Sequence, residues 1–384
     1  MRFSIVTPSL NQAQYLGRTI ESIVEQAGDF EVEHIVRDGG STDGSVDVLR
    51  EWERRLAERP PAGNRGVRFS WRSEKDGGQS AAINAGLRCV SGDVVAYLNS
   101  DDVYCPGAFA AVAAVLQENP QADFVYGDGR VVDEREQLLW TWLSRPFDLD
   151  MLTRHHTAWN EASNYIMQPA TFWRRRVMDR IGLFEESFHY SMDLEYWVRA
   201  GANGLRLEHL PVELAMFRMI SGTKTTSSPN AFWPDNLEIF RRYGKAGRLA
   251  PACGYYFYNL ALEHQWNLHV AAERYQGVAA KWRTLAESER ATALDSAALG
   301  EGLGRVICAI DAVRRNETGL ARELFGQALE KHPAVRGHAL AWNYRARRAL
   351  GDGGRRLAEG FLARAVARYR RLRIDYRYAQ SEPR

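Results

Sequence analysis

Cysteine is scarce in this chain: Cys89, Cys105, Cys253 and Cys308 are scattered through 384 residues without a C-x-x-C pair. That excludes a disulfide framework and points to a reducing, cytosolic setting. Long apolar runs are missing as well. The longest, Ala108–Leu116, falls far short of the roughly 20 residues that a membrane-spanning helix needs. The opening Met1-Arg2-Phe3-Ser4-Ile5-Val6-Thr7-Pro8 lacks the apolar stretch of a secretory signal. Excess charge is absent too, since 50 Lys+Arg face 48 Asp+Glu for a formal +2, so no global field advertises nucleic acid. Neither phosphate-loop pattern, G-x-x-x-x-G-K-[ST] or G-x-G-x-x-G, occurs. What is present, 45% hydrophobic and 26% charged residues, is ordinary for soluble domains, and the length suits two or three of them.

The small net charge hides an asymmetry. Residues 336–384 hold thirteen Arg against four acids, a local +9, which leaves −7 for the remainder. The first 130 residues alternate short β-branched runs (Phe3–Thr7, Glu33–Arg37, Val67–Arg72, Asp93–Leu98, Asp123–Gly127) with helical spacings (Asn11–Gln26, Gln79–Val90, Gly107–Gln117). This predicts an α/β domain with a mostly parallel sheet flanked by helices, its ligand at the carboxyl ends of the strands. Residues 128–230 lose the rhythm and become aromatic and mixed, as a substrate-facing region would. From about 235 the pattern is helical throughout. Ala321, Phe325, Ala328 and Pro333 match the second half of a tetratricopeptide unit, whereas Arg305, Cys308, Ala309 and Ala312 stand where its first half usually has Trp, Leu, Gly and Tyr; a plain helical bundle is the preferred reading.

Three strand-following loops carry candidate chemistry. Asp38-Gly39-Gly40-Ser41-Thr42-Asp43 can bring backbone and a carboxylate close to a ligand, or equally can be a turn with a helix cap. Asn99-Ser100-Asp101-Asp102 follows the apolar strand Val94–Leu98. Adjacent carboxylates there repel unless compensated, and hard oxygen ligands suit Mg2+ or Mn2+, a reading favoured over simple capping. In Ser191-Met192-Asp193-Leu194-Glu195, the acids by themselves read as the first turn of a helix.

Taken in order, these segments resemble a family-2 glycosyltransferase of the GT-A fold, an inverting family. The match runs through Val6–Asn11, Asp38–Asp43, Glu74–Gly86, Leu98–Asp102, Gln168–Arg174, Gly182–Glu186, Met192–Glu195 and Phe217–Thr225, covering roughly residues 1–230. The resemblance implies a nucleotide pocket lined by Thr7, Pro8, Asp38 and Asp76, with Asp101 holding the ribose and Asp102 as the direct ligand of Mn2+ or Mg2+. It implies Asp193 as the general base, and Asn84, Trp173, Arg174, Glu195, Arg218 and Lys224 around donor and acceptor; for Trp173 a core position is an equal alternative. The donor would be a UDP, dTDP or GDP sugar, the acceptor a glycan or lipid-linked molecule, the group moved a hexosyl or deoxyhexosyl. Two departures stand out. Many relatives have Asp-Asp-Gly-Ser where this chain has Asp38-Gly39-Gly40-Ser41, and Ile220 replaces a usual His in Arg218–Thr225. Neither Gln-x-x-Arg-Trp nor spanning helices of processive relatives occur, so a non-processive enzyme is expected.

The expected organisation is a glycosyltransferase domain over 1–230, with a nucleotide half near 1–127 and an acceptor half near 128–230, then an all-α domain over 235–384. Its last segment, Arg355–Tyr378, is a basic amphipathic helix: the final helix of a bundle by preference, or a helix lying on the anionic inner face of a membrane. No nucleic-acid motif accompanies its arginines. Two other readings compete, an impaired relative serving as a scaffold and a nucleotidyltransferase.

Overall fold

The computed structural model describes residues 1–154, 164–227 and 230–349, and divides the chain into two compact units, Met1–Lys245 and Ala246–Arg384. The first unit opens with β1 (Arg2–Ser9), α1 (Ala13–Val24), β2 (Glu31–Asp38), α2 (Ser45–Glu58), β3 (Val67–Ser73), α3 (Gln79–Leu87) and β4 (Val94–Tyr97). Strands β1, β2 and β4 are buried almost end to end because helices cover both their faces, while edge strand β3 alternates in burial. On one face, Leu16, Ile20 and Val24 of α1 pack with Val36 and Leu49. On the other, α3 lies so close that a Cβ on Gly86 would run into Val6.

Next come β5 (Val103–Tyr104), α4 (Ala108–Glu118), β6 (Phe124–Val132), β7 (Leu138–Trp142), α5 (Leu149–Leu152), β8 (Thr171–Arg174), α6 (Arg176–Ile181), α7 (Met192–Ala202), β9 (Leu207–Arg218), α8 (Lys224–Ser227) and α9 (Trp233–Tyr243). All nine strands form one sheet in the order β3-β2-β1-β4-β8-β6-β9-β5, with β7 against β6. The sheet is mixed rather than mostly parallel. β1–β2, β2–β3, β1–β4 and β6–β9 run parallel, whereas β4–β8, β6–β8, β5–β9 and β6–β7 are antiparallel. The cause is β8, which enters the gap between β4 and β6 from the ligand side and runs away from it. The β6–β9 ladder shifts register around Asp128, where a Cβ on Gly127 would sit 2.5 Å from Leu214 Cγ.

The first unit extends past the expected boundary near 230. Helix α9 belongs to it because the Asp235 carboxylate accepts the Tyr190 and Ser191 N–H groups at 2.7 and 3.0 Å, in front of α7. The second unit contains α10 (Leu249–Glu263), α11 (Leu268–Lys281), α12 (Glu287–Arg314) and α13 (Thr318–Lys331). Ala321, Phe325 and Ala328 are buried on α13. Phe325 stacks on Tyr344 at 4.1 Å, and Pro333 opens the following turn. No helix among the described residues is long and apolar enough to cross a membrane. The basic segment Arg355–Tyr378 lies outside the described residues.

Glycines set the approach of α10 and α12: a Cβ on Gly304 would stand 2.6 Å from Phe257 Cβ and 2.8 Å from the Gly254 carbonyl. Gly→Ala inside a helix ordinarily stabilises by up to about 1 kcal/mol, but here overpacking at a cost of about 1–3 kcal/mol should win. We therefore expect Gly304→Ala to lower the calorimetric melting temperature. Gly326→Ala, on α13 with open space around it, should leave it unchanged or raise it.

Candidate active site

The loops after β1 and β2 are sewn together by short polar side chains. The Asn11 N–H donates to Ser41 Oγ at 2.7 Å, the Thr42 N–H to Asn11 Oδ1 at 2.9 Å and the Ala13 N–H to Asp43 Oδ2 at 2.9 Å. Asp43 thus serves the start of α1 as well as its own turn, where Ser45 N–H and Oγ donate to its Oδ1. Asp38, only 2% exposed, spends its carboxylate inside the same structure: Oδ2 accepts from Gly40 N–H, Ser41 N–H and Ser73 Oγ, and Oδ1 from Ser41 Oγ. It is a staple of the loop. Thr7 is fully buried with its Oγ1 2.9 Å from Nε2 of His34, whose burial pushes the imidazole down to about 3 and keeps it neutral. Pro8 lies on β1 beside Arg37 of β2. Asp76 stands against the loop, its Oδ2 3.0 Å from where a Cβ on Gly39 would be.

The second loop holds the most costly charges. Asp102 is fully buried at the end of β4, and its carboxyl is pushed well above the usual range, first by burial and then by the neighbouring Asp101. Burial also raises Asp101. Asp102 Oδ1 accepts the Arg218 N–H at 3.0 Å, and its Oδ2 lies 3.3 Å from Asn99 Nδ2. The Arg218 guanidinium, expected near the donor phosphates, is instead buried and engaged: Nε donates to the Asp101 carbonyl at 2.9 Å, Nη1 to the Glu134 carbonyl at 3.0 Å, and Nη2 to Glu136 Oε1 at 2.9 Å. It braces the acidic turn from behind while the two carboxylates stay under-compensated. Such a pair fits a hard divalent cation. No group of three His, Cys, Asp or Glu occurs among the described residues, so phosphate and water oxygens would have to complete the shell.

A polar chain leads from this turn toward the third loop. Asn99 Oδ1 accepts from Gln79 Nε2 at 2.8 Å, and Gln79 Oε1 accepts from Lys224 Nζ at 3.1 Å. Asn99 Nδ2 also reaches Gln168 Oε1 at 3.2 Å, and Gln168 Nε2 is fixed on the Tyr97 carbonyl at 2.9 Å. Desolvation lowers the Lys224 ammonium from its ordinary value. Asp193 sits in the first turn of α7, where Leu194 N–H donates to Oδ1 at 2.8 Å and Asn164 Nδ2 to Oδ2 at 3.4 Å. Burial nevertheless pushes its carboxyl up to about 6, with the charge of Asp235 adding to the rise. Tyr97 is buried, and its phenol is raised chiefly by burial, with the charges of Asp193 and Asp102 adding to the rise.

Four of the residues expected around donor and acceptor have partners within the protein. Trp173 is fully buried among Phe124, Phe184, Tyr196 and Trp197, at 5.7–6.1 Å between ring centres. Arg174 pairs with Val94 at the far end of β4 and donates to the carbonyls of Leu116, Asn119 and Ala122. Because β8 is antiparallel, Gln168 is the site residue of that segment. Two residues beyond Asp193 on α7, Glu195 is fully buried in a two-pronged pair with Arg199, both contacts at 2.9 Å. Asn84 ties down the backbone of Phe184. Gln79, Asn99 and Gln168 fall within the motifs, but their linkage is visible only in the folded chain. No local pattern signals Asn164, Tyr97 or Asp235.

An acidic pair after a sheet strand and a raised carboxyl at a helix start thus mark a candidate ligand site of an α/β fold. The description glycosyl transferase family 2 matches residues 4–182. A PGL/p-HBAD biosynthesis glycosyltransferase of Mycobacterium tuberculosis is 30% identical over 227 residues, covering 58% of this chain and 79% of that protein. An uncharacterized glycosyltransferase of Nostoc sp. is 30% identical over 140 residues, 35% of this chain and 40% of that protein. Among solved structures, S. aureus TarS 1–349 with UDP-GlcNAc gives a TM-score of 0.48 at 18% identity, covering 87% of this chain and 92% of that one. The mannosyltransferase PcManGT of Pyrobaculum calidifontis, with GDP-Man and Mn2+, gives 0.43 at 17% identity, covering 86% of each chain. The chain belongs to glycosyl transferase family 2 and carries a GT-A-type α/β domain followed by helices.

The raised carboxyl of Asp193 sets a pH signature. As the general base that the family resemblance implies, Asp193 would work only when deprotonated, and kcat/KM should then fall about tenfold per unit below pH 6; a rate flat from pH 7 to 4.5 would remove Asp193 from that role. Its folded value lies above the unfolded one, so the charged form destabilises the fold at neutral pH. Asp193→Asn should therefore abolish turnover while raising stability by the order of 1 kcal/mol in denaturant titrations at pH 7.5.

Proposed function

We propose that this family-2 enzyme is an inverting, metal-dependent, non-processive glycosyltransferase that moves a hexosyl or deoxyhexosyl group from a nucleoside diphosphate sugar (UDP, dTDP or GDP type) to a glycan or lipid-linked acceptor. The observation that carries the reading is the hydrogen-bonded chain from the buried Asp101–Asp102 turn through Asn99 and Gln79 to Lys224, which donates to the His189 carbonyl just ahead of the helix that bears Asp193, a buried carboxyl raised to about 6. Asp193 accepts the proton of an acceptor hydroxyl as that oxygen attacks the anomeric carbon. The bond from that carbon to the diphosphate oxygen breaks on the opposite side, inverting the centre without a covalent intermediate. Asp102, with Asp101 beside it, would hold Mn2+ or Mg2+, which supplies Lewis-acid stabilisation of the leaving diphosphate. Lys224, held on Gln79 and the His189 carbonyl, adds a positive charge on the same side. A lipid-linked acceptor draws support from β7, where Leu138, Leu139 and Trp140, with neighbouring Leu143, are 47–61% exposed. Trp142 of that strand donates to the Tyr165 carbonyl at 3.0 Å, one residue from the Asn164 that touches Asp193.

A donor screen that reads released nucleoside diphosphate tests the activity. Pyrophosphate as the product would replace the reading with nucleotidyl transfer, and absence of both nucleotide binding and turnover would favour the scaffold. Asp102→Ala should weaken metal-dependent donor binding by about a hundredfold, in line with loss of a direct metal ligand. Leu139→Asp with Trp140→Asp should lower kcat/KM about tenfold for a long-chain lipid-linked acceptor and leave donor hydrolysis unchanged; equal rates on that acceptor would retire the apolar docking strand.

A further inference from the structure

The guanidinium of Arg218 lies beside two buried carboxylates, Asp101 and Asp102, and bonds to neither. Its Nε donates to the Asp101 carbonyl at 2.9 Å, Nη1 to the Glu134 carbonyl at 3.0 Å and Nη2 to Glu136 Oε1 at 2.9 Å. Its central carbon stands 4.9 Å from the middle of the Tyr15 ring. Two-pronged pairing with a carboxylate is among the strongest contacts a guanidinium can make, so its turn away from Asp101 and Asp102 needs a cause. Glu136 supplies one. It sits in the β6–β7 turn with a left-handed backbone, φ 60°, that glycine adopts without penalty. Asp133 fixes that turn: its Oδ1 accepts the Arg135 and Gln137 N–H groups at 2.9 and 2.8 Å, and its carbonyl accepts the Glu136 N–H at 3.1 Å. A side chain kept at a position suited to glycine points to a use for that side chain. Glu136 Oε1 also lies 3.3 Å from Arg18 Nε, so one carboxylate ties the turn to α1 and to the end of β9.

We propose that Glu136 is a positioning residue for the cation site: it draws the Arg218 guanidinium away from the Asp101 and Asp102 carboxylates, so that the acidic turn is braced without being neutralised. The inference rests on the metal-dependent reading above and deepens it. The Arg218 side chain is 3% exposed and that of Glu136 30%, so solvent does little to weaken their attraction. The other acid of the turn, Glu134, is exposed and gives Arg218 only its carbonyl. Burial raises the Asp101 and Asp102 carboxyls, and the Arg218 charge already opposes that rise. Without the charge of Glu136 the guanidinium would turn to those carboxylates, and a built-in cation would then compete with Mn2+ or Mg2+.

Electron paramagnetic resonance of free Mn2+ in titrations of the full chain tests this, with UDP, dTDP or GDP present in turn. The wild-type chain should bind Mn2+ with at least one of them. Glu136→Gln keeps an oxygen for Nη2 and loses only the charge. It should weaken Mn2+ binding by about tenfold, the scale on which a residue behind a metal ligand acts. Adding Arg218→Gln should bring the affinity back to within about threefold of wild type, because the competing cation is gone; a purely structural brace would instead be loosened further. Unchanged Mn2+ affinity in Glu136→Gln, or no recovery in a double variant that still melts cooperatively, would overturn the role of Glu136 and leave metal dependence intact. Should the double variant fail to fold, the affinity of Glu136→Gln alone decides. Absence of Mn2+ binding by the wild-type chain with all three nucleotides would overturn both.

Discussion

Two adjacent carboxylates at the end of a buried strand are the constraint around which the first unit is arranged. Burying even one unpaired charge is expensive, and here Asp101 and Asp102 also repel each other. The surroundings hold the turn without neutralising it. Thr19 on α1 donates its hydroxyl to the Ser100 and Asp102 carbonyls at 2.9 and 2.8 Å. The Arg218 N–H and guanidinium take the Asp102 carboxylate and the Asp101 carbonyl, and Asn99 links the turn to Gln79 and Gln168. Backbone and amide groups bear the geometry, and the two carboxyls are left without a charged side chain to offset them fully.

Carboxylates in this unit divide by how many of their acceptor sites the protein itself fills. Asp38 and Glu195 are buried and engaged, the first by loop N–H and hydroxyl groups and the second by Arg199 and Tyr243. They stabilise structure because their partners are built in. Asp193 retains a raised carboxyl despite two hydrogen bonds, and Asp76 retains an open oxygen. A carboxylate with unspent acceptor capacity is one that a ligand can still complete, and acid residues of similar motif context differ in just this respect.

Much of the fold was legible in one dimension. Alternation of β-branched runs with 3.6-residue periodicities marked β1, α1, β2, β3, α3, β4 and α4 within a few residues, since each element buries one face against a neighbour close in sequence, whereas the two-residue β5 carried no such pattern. The mixed character of the sheet was not legible, because β8 inserts between β4 and β6 only after a long excursion and its four residues carry no sign of direction. The same antiparallel insertion moved Arg174 to the far end of β4 and put Gln168 at the site. Helix geometry likewise separated Asp193 from Glu195: two residues apart on α7, they point to different sides, one to the Asn164 amide and one into a buried ion pair.

The sequence by itself determined the chemistry on offer: carboxylates at strand ends, glycines where backbone must lie bare, and a motif order that identifies the family. Those features are local, set by residue type and by spacing within one turn or strand. Tertiary structure alone decided which of those groups are spent. Arg218 is separated by more than a hundred residues from the Asp101–Asp102 turn it braces, Asp235 caps the approach to α7 from a helix beyond the expected boundary, and Asp76 meets Gly39 across two strands. Whether a polar group is satisfied depends on which partners packing brings within about 3 Å, and that distance is not written along the chain.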